Sequence, residues 1–362
     1  MKRVFNKFME EKQIINPHAM FFEKVFSRLD VATDFLKNYL SQEIVDKLDL
    51  STIQHEKKSF ISNELKPTQS DLLFKIKTVD GKSLFLYILL EHKSYVDRWA
   101  MLQLLGYIVE ICEEQRAINK YERKKTREEN LKNNRPENEG IETEYLNPVI
   151  PVIIYHGKTQ WNEKINLSSL FYDAKMYKNY LPNFQYELIN IANYADNEFK
   201  GYIILKVALM AMKHYFMDDF EEKVPEMLNL LFDLVYHRNS ETGFLMVLLR
   251  YIGTNKNYDK DWLKANLVKV YKEKGEKIMN SFVDIWINEG KEEGIKEGKK
   301  EGIIEVIIDT LNIRFRNVSQ SIINLLHEIQ DNNTLRTLHR EAVITNNLNE
   351  FQTRLNVHYQ KP

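Results

Sequence analysis

Residues 70–107 read SDLLFKIKTVDGKSLFLYILLEHKSYVDRWAMLQLLGY, and this stretch decides the expected fold of the chain. Two apolar runs flank Asp80-Gly81, and apolar residues at helical spacing follow them. Asp-Gly between two such runs is a strong signal for a β-hairpin. The stretch therefore predicts two antiparallel strands followed by a helix.

Ionisable residues stand at the ends of the two predicted strands. Asp71 opens the first strand, and Glu91 and Lys93 close the second. Residues two apart in a strand point to the same face, so Glu91 and Lys93 are expected side by side, with His92 on the opposite face. Because the hairpin folds back on itself, Asp71 is expected close to Glu91.

The length of the hairpin loop decides whether Asp71 and Glu91 share a face. A three-residue loop, Val79-Asp80-Gly81 with Gly81 in the left-handed region, puts both on one face. A two-residue loop, Asp80-Gly81, puts them on opposite faces. We predict the three-residue loop, because the chemistry that follows requires both carboxylates on one face.

Two carboxylates that converge at a strand end form a site for a hard cation such as Mg²⁺ or Mn²⁺. A neighbouring lysine can orient a water molecule or offset charge that develops on a phosphate. Together these groups predict a phosphodiester hydrolase site. The competing interpretation is a solvated surface ion pair of Glu91 with Lys93, which contributes little to stability or function.

The sequence segments around these residues are similar to those of a known family. Asp71 with Glu91-His92-Lys93 resembles the signature of the PD-(D/E)XK nuclease superfamily. The segments PHAMFFEKVFS, SDLLFKIKTVDG, LLEHKS and NPVIPVIIYHGK resemble the Rpn family of recombination-promoting nucleases, also called YhgA-like transposases. The similarity covers most of the chain, including the tail. It implies an α/β protein with a restriction-endonuclease-like core, a mixed central sheet flanked by helices, followed by an all-helical C-terminal region.

The resemblance also implies an activity and the residues that carry it. The activity is that of a Mg²⁺- or Mn²⁺-dependent DNA endonuclease that promotes recombination, with DNA as the partner. Asp71 and Glu91 would be metal ligands, the backbone carbonyl of His92 a third ligand, and Lys93 the catalytic lysine. On the next helix, Gln103 and Tyr107 fit a QxxxY pattern that positions the metal site or the nucleic-acid strand in related nucleases.

Two positions depart from the family pattern. The family usually has His-Asp where this chain has His18-Ala19, and commonly Gln where it has Lys93. Lys93 restores the general superfamily pattern and favours activity, whereas Ala19 removes an acidic group unless Glu23 replaces it. An alternative function follows from Ala19: a catalytically inactive DNA-binding or interaction protein that keeps the nuclease fold.

Composition limits the cellular setting and the way nucleic acid is bound. The chain has 362 residues, a formal net charge of -1 and a pI near 6.8, so contacts with nucleic acid must come from local basic patches. A single cysteine, Cys112, excludes an internal disulfide framework and a cysteine-rich zinc site. Basic residues near the N-terminus precede no apolar stretch, and no apolar run reaches the ~20 residues of a membrane span. We therefore expect a soluble, cytoplasmic protein.

The remaining elements are expected in a simple order. Helices over 17–48 and a weak strand over 52–61 precede the hairpin, and a helix of about 96–115 follows it. A charge-dominated insertion near 116–145 is expected as a helix extension and then a mobile segment. Its basic residues could contact phosphates, and the competing interpretation is a solvated linker. Strands follow at 149–155 and 186–191, with Pro151 at a bulge or beside an edge.

The second half of the chain is expected to be helical. Helices are predicted at 201–217, 224–237, 242–252 and 259–275. The predicted domains are a nuclease core (1–200), a helical layer packed on it (201–280) and a self-association tail (281–362).

Glycines recur every four residues in the tail, at Gly290, Gly294, Gly298 and Gly302. Each glycine lowers helix stability by ~1 kcal/mol relative to alanine, so a compensating close helix contact is expected. The competing interpretation is a fraying, flexible linker. We predict the helix contact and, with it, a homodimer or higher oligomer formed through the C-terminal helices.

Overall fold

The computed structural model describes residues 17–56, 71–91, 96–140, 145–162, 166–238, 240–255, 259–329 and 331–359. For residues 71, 87–91, 260, 285–297 and 358–359 it describes the backbone alone. The predicted site residues His92 and Lys93 lie outside the described residues. Two compact units are present, Met1–Lys277 and Ile278–Pro362.

The first unit begins with helices and then builds a sheet. The N-terminal helices are α1 (Pro17–Phe26), α2 (Leu29–Tyr39) and the short α3 (Gln42–Val45). The elements that follow are β1 (Leu48–His55), β2 (Asp71–Thr78), β3 (Ser83–Glu91), α4 (Ala100–Lys132), β4 (Val149–Tyr155) and β5 (Glu187–Asn190). Between and after the last two strands lie the 3-10 helices Leu167–Leu170, Ile191–Asn193 and Asp196–Glu198.

The described strands form one five-stranded mixed sheet in the order β1-β2-β3-β4-β5. β1 and β2 are antiparallel, as are β2 and β3, whereas β3, β4 and β5 are mutually parallel. A parallel pair needs a crossover connection, and α4 provides it between β3 and β4. Pro151 pairs with Tyr87 in the β3–β4 ladder, whose register has no bulge, so the predicted bulge was wrong. On its other side Pro151 precedes the β4–β5 ladder, which starts at Val152. The predicted α/β fold with a mixed sheet is confirmed.

The hairpin turn has the predicted length. The Thr78 N–H donates to the Lys82 carbonyl at 2.7 Å, and the Gly81 N–H donates to the Thr78 carbonyl at 2.8 Å. Gly81 has φ +85°, a conformation that glycine adopts without the steric penalty of a Cβ. Val79, Asp80 and Gly81 therefore form the three-residue loop, and the predicted register is confirmed.

Both faces of the sheet are buried. One face packs against α4, in an apolar cluster that we call the α4 cluster; it contains Leu73, Phe85, Ala100, Met101, Leu104, Tyr107, Ile111, Ile153, Tyr155, Trp161, Leu167 and Tyr186. Residues of opposite parity cover the other face, where α1 contacts β2 and α2 contacts β1. They include Phe74, Ile76, Leu86, Val152 and Ile154, all of them fully buried.

One predicted element boundary, the start of the first strand, was wrong, whereas the helix after the hairpin runs through the expected extension. That helix continues to Lys132, because its charged residues are good helix formers and pair along the helix. Glu113 pairs with Arg116 in this extension. The first strand starts at Leu48 rather than near residue 52, and its register shifts between Asp49 and Gln54.

Helices follow the sheet as predicted. The first unit continues with α5 (Ile203–His214), α6 (Phe220–Leu230), the π-helical turn Asp233–His237, α7 (Thr242–Gly253) and α8 (Lys260–Tyr271). α7 contacts α1 and α5, so residues from both ends of this unit share one core. The predicted division at residues 200 and 280 remains a prediction.

The C-terminal unit is helical as well. Its elements are α9 (Glu273–Phe315, which begins before the unit boundary), α10 (Gln320–Glu328), α11 (Asn332–Ile344) and α12 (Leu348–Tyr359). All four glycines of the tail lie within α9, so the backbone there is helical. The core of the unit is apolar and includes Ile304, Ile307, Leu311, Leu326, Leu338, Phe351 and Leu355. In the part of the chain that the structure describes, no helix is both long enough and apolar enough to cross a membrane.

Candidate active site

The predicted site lies where β2 begins and β3 ends. Asp71 is the first residue of β2 and pairs with Leu89, two residues before Glu91, the last residue of β3. Positions two apart on a strand share a face. The backbone register therefore puts positions 71, 89 and 91 on the same face of the sheet.

The same edge of the sheet carries the ends of the parallel strands. Glu91 pairs with Tyr155, and Tyr155 pairs with Asn190 on its other side. Position 91 is an even number of residues from Phe85 on β3, and position 71 is two residues from Leu73 on β2, so each shares a face with that residue. The side chains of Phe85 and Leu73 belong to the α4 cluster. Positions 71 and 91 therefore lie on the face that α4 covers.

Gln103 and Tyr107 lie on α4, one helical turn apart. The Gln103 Nε2 donates to the Tyr107 Oη at 3.4 Å, which is a long hydrogen bond. Tyr107 is buried in the α4 cluster together with Tyr155, the β4 partner of Glu91. The fold thus brings the predicted QxxxY pair to the same face of the sheet as positions 71 and 91, and the roles assigned to the pair remain predictions.

Metal ligation at this edge also remains a prediction. Among residues with described side chains, no group of three or more His, Cys, Asp or Glu is arranged to hold a metal ion. The predicted ligands Asp71 and Glu91 have only their backbone described, and His92 lies outside the described residues.

His18 and Ala19, where the chain departs from the family pattern, are buried on α1. The His18 Nδ1 is hydrogen-bonded to the Tyr251 Oη at 2.7 Å, and its ring lies 5.3 Å from that of His156, the residue after β4. Burial raises the pKa of Tyr251 well above its ordinary value, and the neighbouring Tyr215 adds to this, so the Tyr251 hydroxyl keeps its proton. His18 therefore joins α1 to α7 in the core.

A partly buried ionic cluster was missed by sequence reasoning. The Asp196 Oδ1 accepts hydrogen bonds from Lys213 Nζ and His214 Nε2, both at 2.8 Å, and its Oδ2 lies 2.7 Å from Lys223 Nζ. The other ring nitrogen of His214 lies 2.7 Å from Asp219. Lys213 and His214 are adjacent on α5, whereas Asp196 comes from a 3-10 turn and Asp219 and Lys223 come from the start of α6. The sequence therefore contains no local motif that predicts the cluster.

The electrostatics of this cluster make it a structural tie. Burial alone would raise the pKa of the Asp196 carboxyl, but hydrogen bonds from Lys213, Lys223 and His214 outweigh burial and hold the pKa well below its ordinary value. The carboxylate therefore stays ionised at neutral pH and holds three segments together. Its charges are already matched by one another, which argues against a role in binding a substrate.

Comparison with known proteins identifies relatives over the first two thirds of the chain. The model of the family described as "Putative transposase, YhgA-like" matches residues 16–242. Recombination-promoting nuclease RpnA of Escherichia coli (strain K12) is 24% identical over 224 residues, which is 62% of this chain and 68% of the relative. Recombination-promoting nuclease RpnD of Escherichia coli O157:H7 is 24% identical over 234 residues, covering 64% of this chain and 81% of the relative.

A third relative is inactive, according to its name. Inactive recombination-promoting nuclease-like protein RpnE of Escherichia coli (strain K12) is 23% identical over 207 residues, or 57% of this chain and 61% of the relative. No solved structure matches the chain. Since the family model covers more than half of its residues, the chain belongs to the YhgA-like transposase family, the family of the recombination-promoting nucleases.

Proposed function

We propose that this protein is a metal-dependent DNA endonuclease with a PD-(D/E)XK-type site at the edge of the sheet where β3 ends. The observation that carries the proposal is the hairpin register. The loop with Gly81 at φ +85° gives a pairing in which positions 71 and 91 share a face and an edge. That is the placement that two carboxylate ligands of one ion require.

Each residue has a distinct part in the proposed reaction. Asp71 and Glu91 hold Mg²⁺ or Mn²⁺, with the backbone carbonyl of His92 as a third ligand. The ion, when bound, supplies charge neutralisation at the scissile phosphate and activation of water. Lys93 orients the attacking water and offsets negative charge that grows on the phosphate.

Gln103 and Tyr107 support the site from α4. Their mutual hydrogen bond limits the rotamers of both side chains, and the burial of Tyr107 fixes the position of the pair against the sheet. A fixed polar pair beside the scissile phosphate positions the strand for in-line attack, which is a geometric contribution rather than a chemical one.

Plasmid cleavage tests the proposal. Wild-type protein with Mg²⁺ or Mn²⁺ should linearise or nick plasmid DNA, and Asp71→Asn or Lys93→Ala should reduce the rate by about a hundredfold or more. The matched control is Asp80→Asn, in the loop of the same hairpin, where Asn-Gly is as acceptable as Asp-Gly. Cleavage that survives both Asp71→Asn and Lys93→Ala would remove this site assignment.

A second candidate function is a catalytically inactive DNA-binding or interaction protein with the same fold. The buried Ala19, in place of the family's aspartate, favours it, and RpnE is named as an inactive relative. Binding of duplex DNA by wild-type protein, without cleavage in either metal, would support this candidate over the endonuclease.

We also propose that the protein forms a homodimer or higher oligomer through its C-terminal unit. A Cβ added at Gly298 or Gly302 would meet no atom within 4 Å, so this side of α9 is open. The exposed Val306 and Ile313 continue the same stripe, on the side of the helix opposite Ile304 and Leu311 of the core. A second copy of α9 laid along the stripe would cover these residues.

Light scattering coupled to size exclusion tests the oligomer. The double variant Gly298→Leu/Gly302→Leu should shift the wild-type oligomer towards monomer, because bulky side chains separate the helices. The control is Gly243→Leu, in the first unit, where an added Cβ also meets nothing within 4 Å. A wild-type protein that is monomeric, or an oligomer unaffected by the double variant, would contradict the proposal.

A further inference from the structure

Residues 171–180, FYDAKMYKNY, form an exposed segment between the 3-10 helix Leu167–Leu170 and β5, which we call the aromatic loop. Tyr172 is 95% exposed and Tyr180 is 86% exposed, while Phe171 and Tyr177 are 40% and 46% exposed. The remaining large side chains, Met176, Lys175 and Lys178, are exposed as well.

The base of the aromatic loop is fixed to the body of the protein. Asn166 and Gln185 form a β-bridge, and the Leu167 N–H donates to the Phe184 carbonyl at 3.1 Å. Leu167 belongs to the α4 cluster, and Leu170 and Phe184 pack against it. The base of the loop therefore packs on the face of the sheet that carries positions 71 and 91, next to the start of β5, whereas position 91 lies level with the end of that strand.

Turns within the loop keep its rings in solvent. The Met176 N–H donates to the Asp173 carbonyl at 3.0 Å, and the Tyr180 N–H donates to the Tyr177 carbonyl at 2.9 Å. Large aromatic side chains normally contribute to cores, and a contiguous exposed apolar patch marks an interaction site. This stretch of ten residues exposes four rings, two lysines and one aspartate, Asp173, so its net charge is positive. It therefore suits a partner with flat apolar faces and negative charge.

We propose that the aromatic loop binds unpaired nucleotides of the DNA that the protein cleaves, at a surface separate from the strand ends that carry positions 71 and 91. Bases of a single strand stack on the tyrosine rings, and Lys175 and Lys178 contact the phosphates between them. In a duplex the bases are already stacked on each other, so the rings contribute far less there. This inference rests on the proposed endonuclease function and adds to it the substrate class, DNA that contains an unpaired segment.

Fluorescence anisotropy with the full chain tests the inference. The probes are a labelled oligo-dT of about 20 nucleotides, longer than the ~4–16 nucleotides of common single-strand sites, and a duplex of the same length, both in EDTA so that no cleavage occurs. Wild-type protein should prefer the single strand. Tyr172→Ala/Tyr180→Ala should weaken single-strand binding by about tenfold or more and leave duplex binding nearly unchanged.

Two further variants separate stacking from charge. Tyr172→Phe/Tyr180→Phe keeps the rings and should bind like wild type, whereas Lys175→Gln/Lys178→Gln should reduce the salt dependence by about 1.4 in the slope of log K against log salt. The control Tyr202→Ala removes a tyrosine that is 80% exposed but lies outside the loop, at the start of α5, and should change nothing.

Four results would overturn the inference: no binding of oligo-dT by wild type, equal binding by the alanine variant, loss of binding in the phenylalanine variant, or loop-dependent binding of phosphatidylglycerol vesicles in place of DNA. Plasmid cleavage is scored separately. Cleavage with no loop-dependent binding would refute the aromatic loop alone, whereas loop-dependent binding with no cleavage would refute the endonuclease alone.

Discussion

The contacts inside the first compact unit span much longer sequence distances than the contacts inside the second. In the first unit, hydrogen bonds join residues far apart in sequence, such as His18 with Tyr251 and Arg28 with Glu241. In the second unit they join residues of neighbouring helices, as in Lys300 with the His327 carbonyl. Its core comes from successive helices and is almost wholly apolar.

This difference shows which part of the chain has to fold as a whole. Local contacts form with little loss of loop entropy, so successive helices can assemble alone, whereas the first unit gains stability only when its two ends meet. The family match ends at residue 242, before the α7 residues that α1 needs. The boundary of the family match is therefore not the boundary of a folding unit.

Truncation tests the comparison most strongly. A chain that ends at residue 242 should fail to fold, because it lacks the buried side chains of α7, among them Leu245, Leu248 and Leu249. Each fully buried apolar side chain contributes roughly 1.5–3 kcal/mol, and several together exceed the ~5–15 kcal/mol stability of a typical domain. A chain that ends at residue 277 should keep the far-ultraviolet circular dichroism and cooperative melting of the first unit. A cooperatively folded chain that ends at 242 would contradict the comparison.

A core substitution in the tail probes the independence of the second unit. Phe351→Ala removes a fully buried ring and should destabilise that unit by about 3–5 kcal/mol, while the melting of the first unit is unchanged. Scanning calorimetry that resolves two transitions measures both effects. The control is Val357→Ala, at a half-exposed position on the same helix, which should leave both melting temperatures nearly unchanged. A parallel shift of both transitions would mean that the units unfold together.

The Asp196 cluster gives the first unit a dependence on pH that the apolar tail core lacks. Asp196→Asn should lower the free energy of unfolding of the first unit by about 2 kcal/mol at pH 7, because three donors lose a charged acceptor. The pKa of Asp196 is lowered in the folded state, so its contribution is complete above the ordinary aspartate pKa of about 3.9 and declines as pH falls below it.

Urea denaturation at several pH values measures this contribution. The difference between wild type and Asp196→Asn should be constant from pH 5 to pH 7 and should shrink below about pH 4. The control Asp233→Asn alters an exposed ion pair with Arg238 and should change stability by less than about 1 kcal/mol. A difference that grows towards acid pH would have the wrong sign for a carboxylate with a lowered pKa.

The elements that sequence could predict are those specified by neighbouring residues. The hairpin followed from Asp80-Gly81, and β4 followed from the apolar run 149–155, because turn chemistry and burial act locally. The turn residues allowed two loop lengths, and the three-residue loop was chosen from the chemistry of the site. The extension of α4 through the charged segment also follows from local preference, because glutamate, lysine and arginine favour helices.

What sequence could not predict depends on contacts between distant segments. Asp196 stands in an unremarkable polar turn, and its partners come from two helices whose packing decides that three side-chain donors meet one carboxylate. The bond of His18 to Tyr251 likewise requires the fold to be known. The aromatic loop is visible in the sequence, but only the structure tells whether its rings are buried or exposed.

Substitution of Gly81 tests a local determinant of the first unit, because the backbone angle of this one residue sets the hairpin register that the site needs. Gly81→Ala should destabilise the first unit by about 1 kcal/mol, since φ +85° is strained for a residue with a Cβ even though open space surrounds it. Gly81→Asn should lose less, because asparagine tolerates positive φ. Gly243→Ala, at a helical position with the same open space, is the control and should be neutral or slightly stabilising. Equal losses for alanine and asparagine in chemical denaturation would show that the left-handed conformation of Gly81 does not hold the turn.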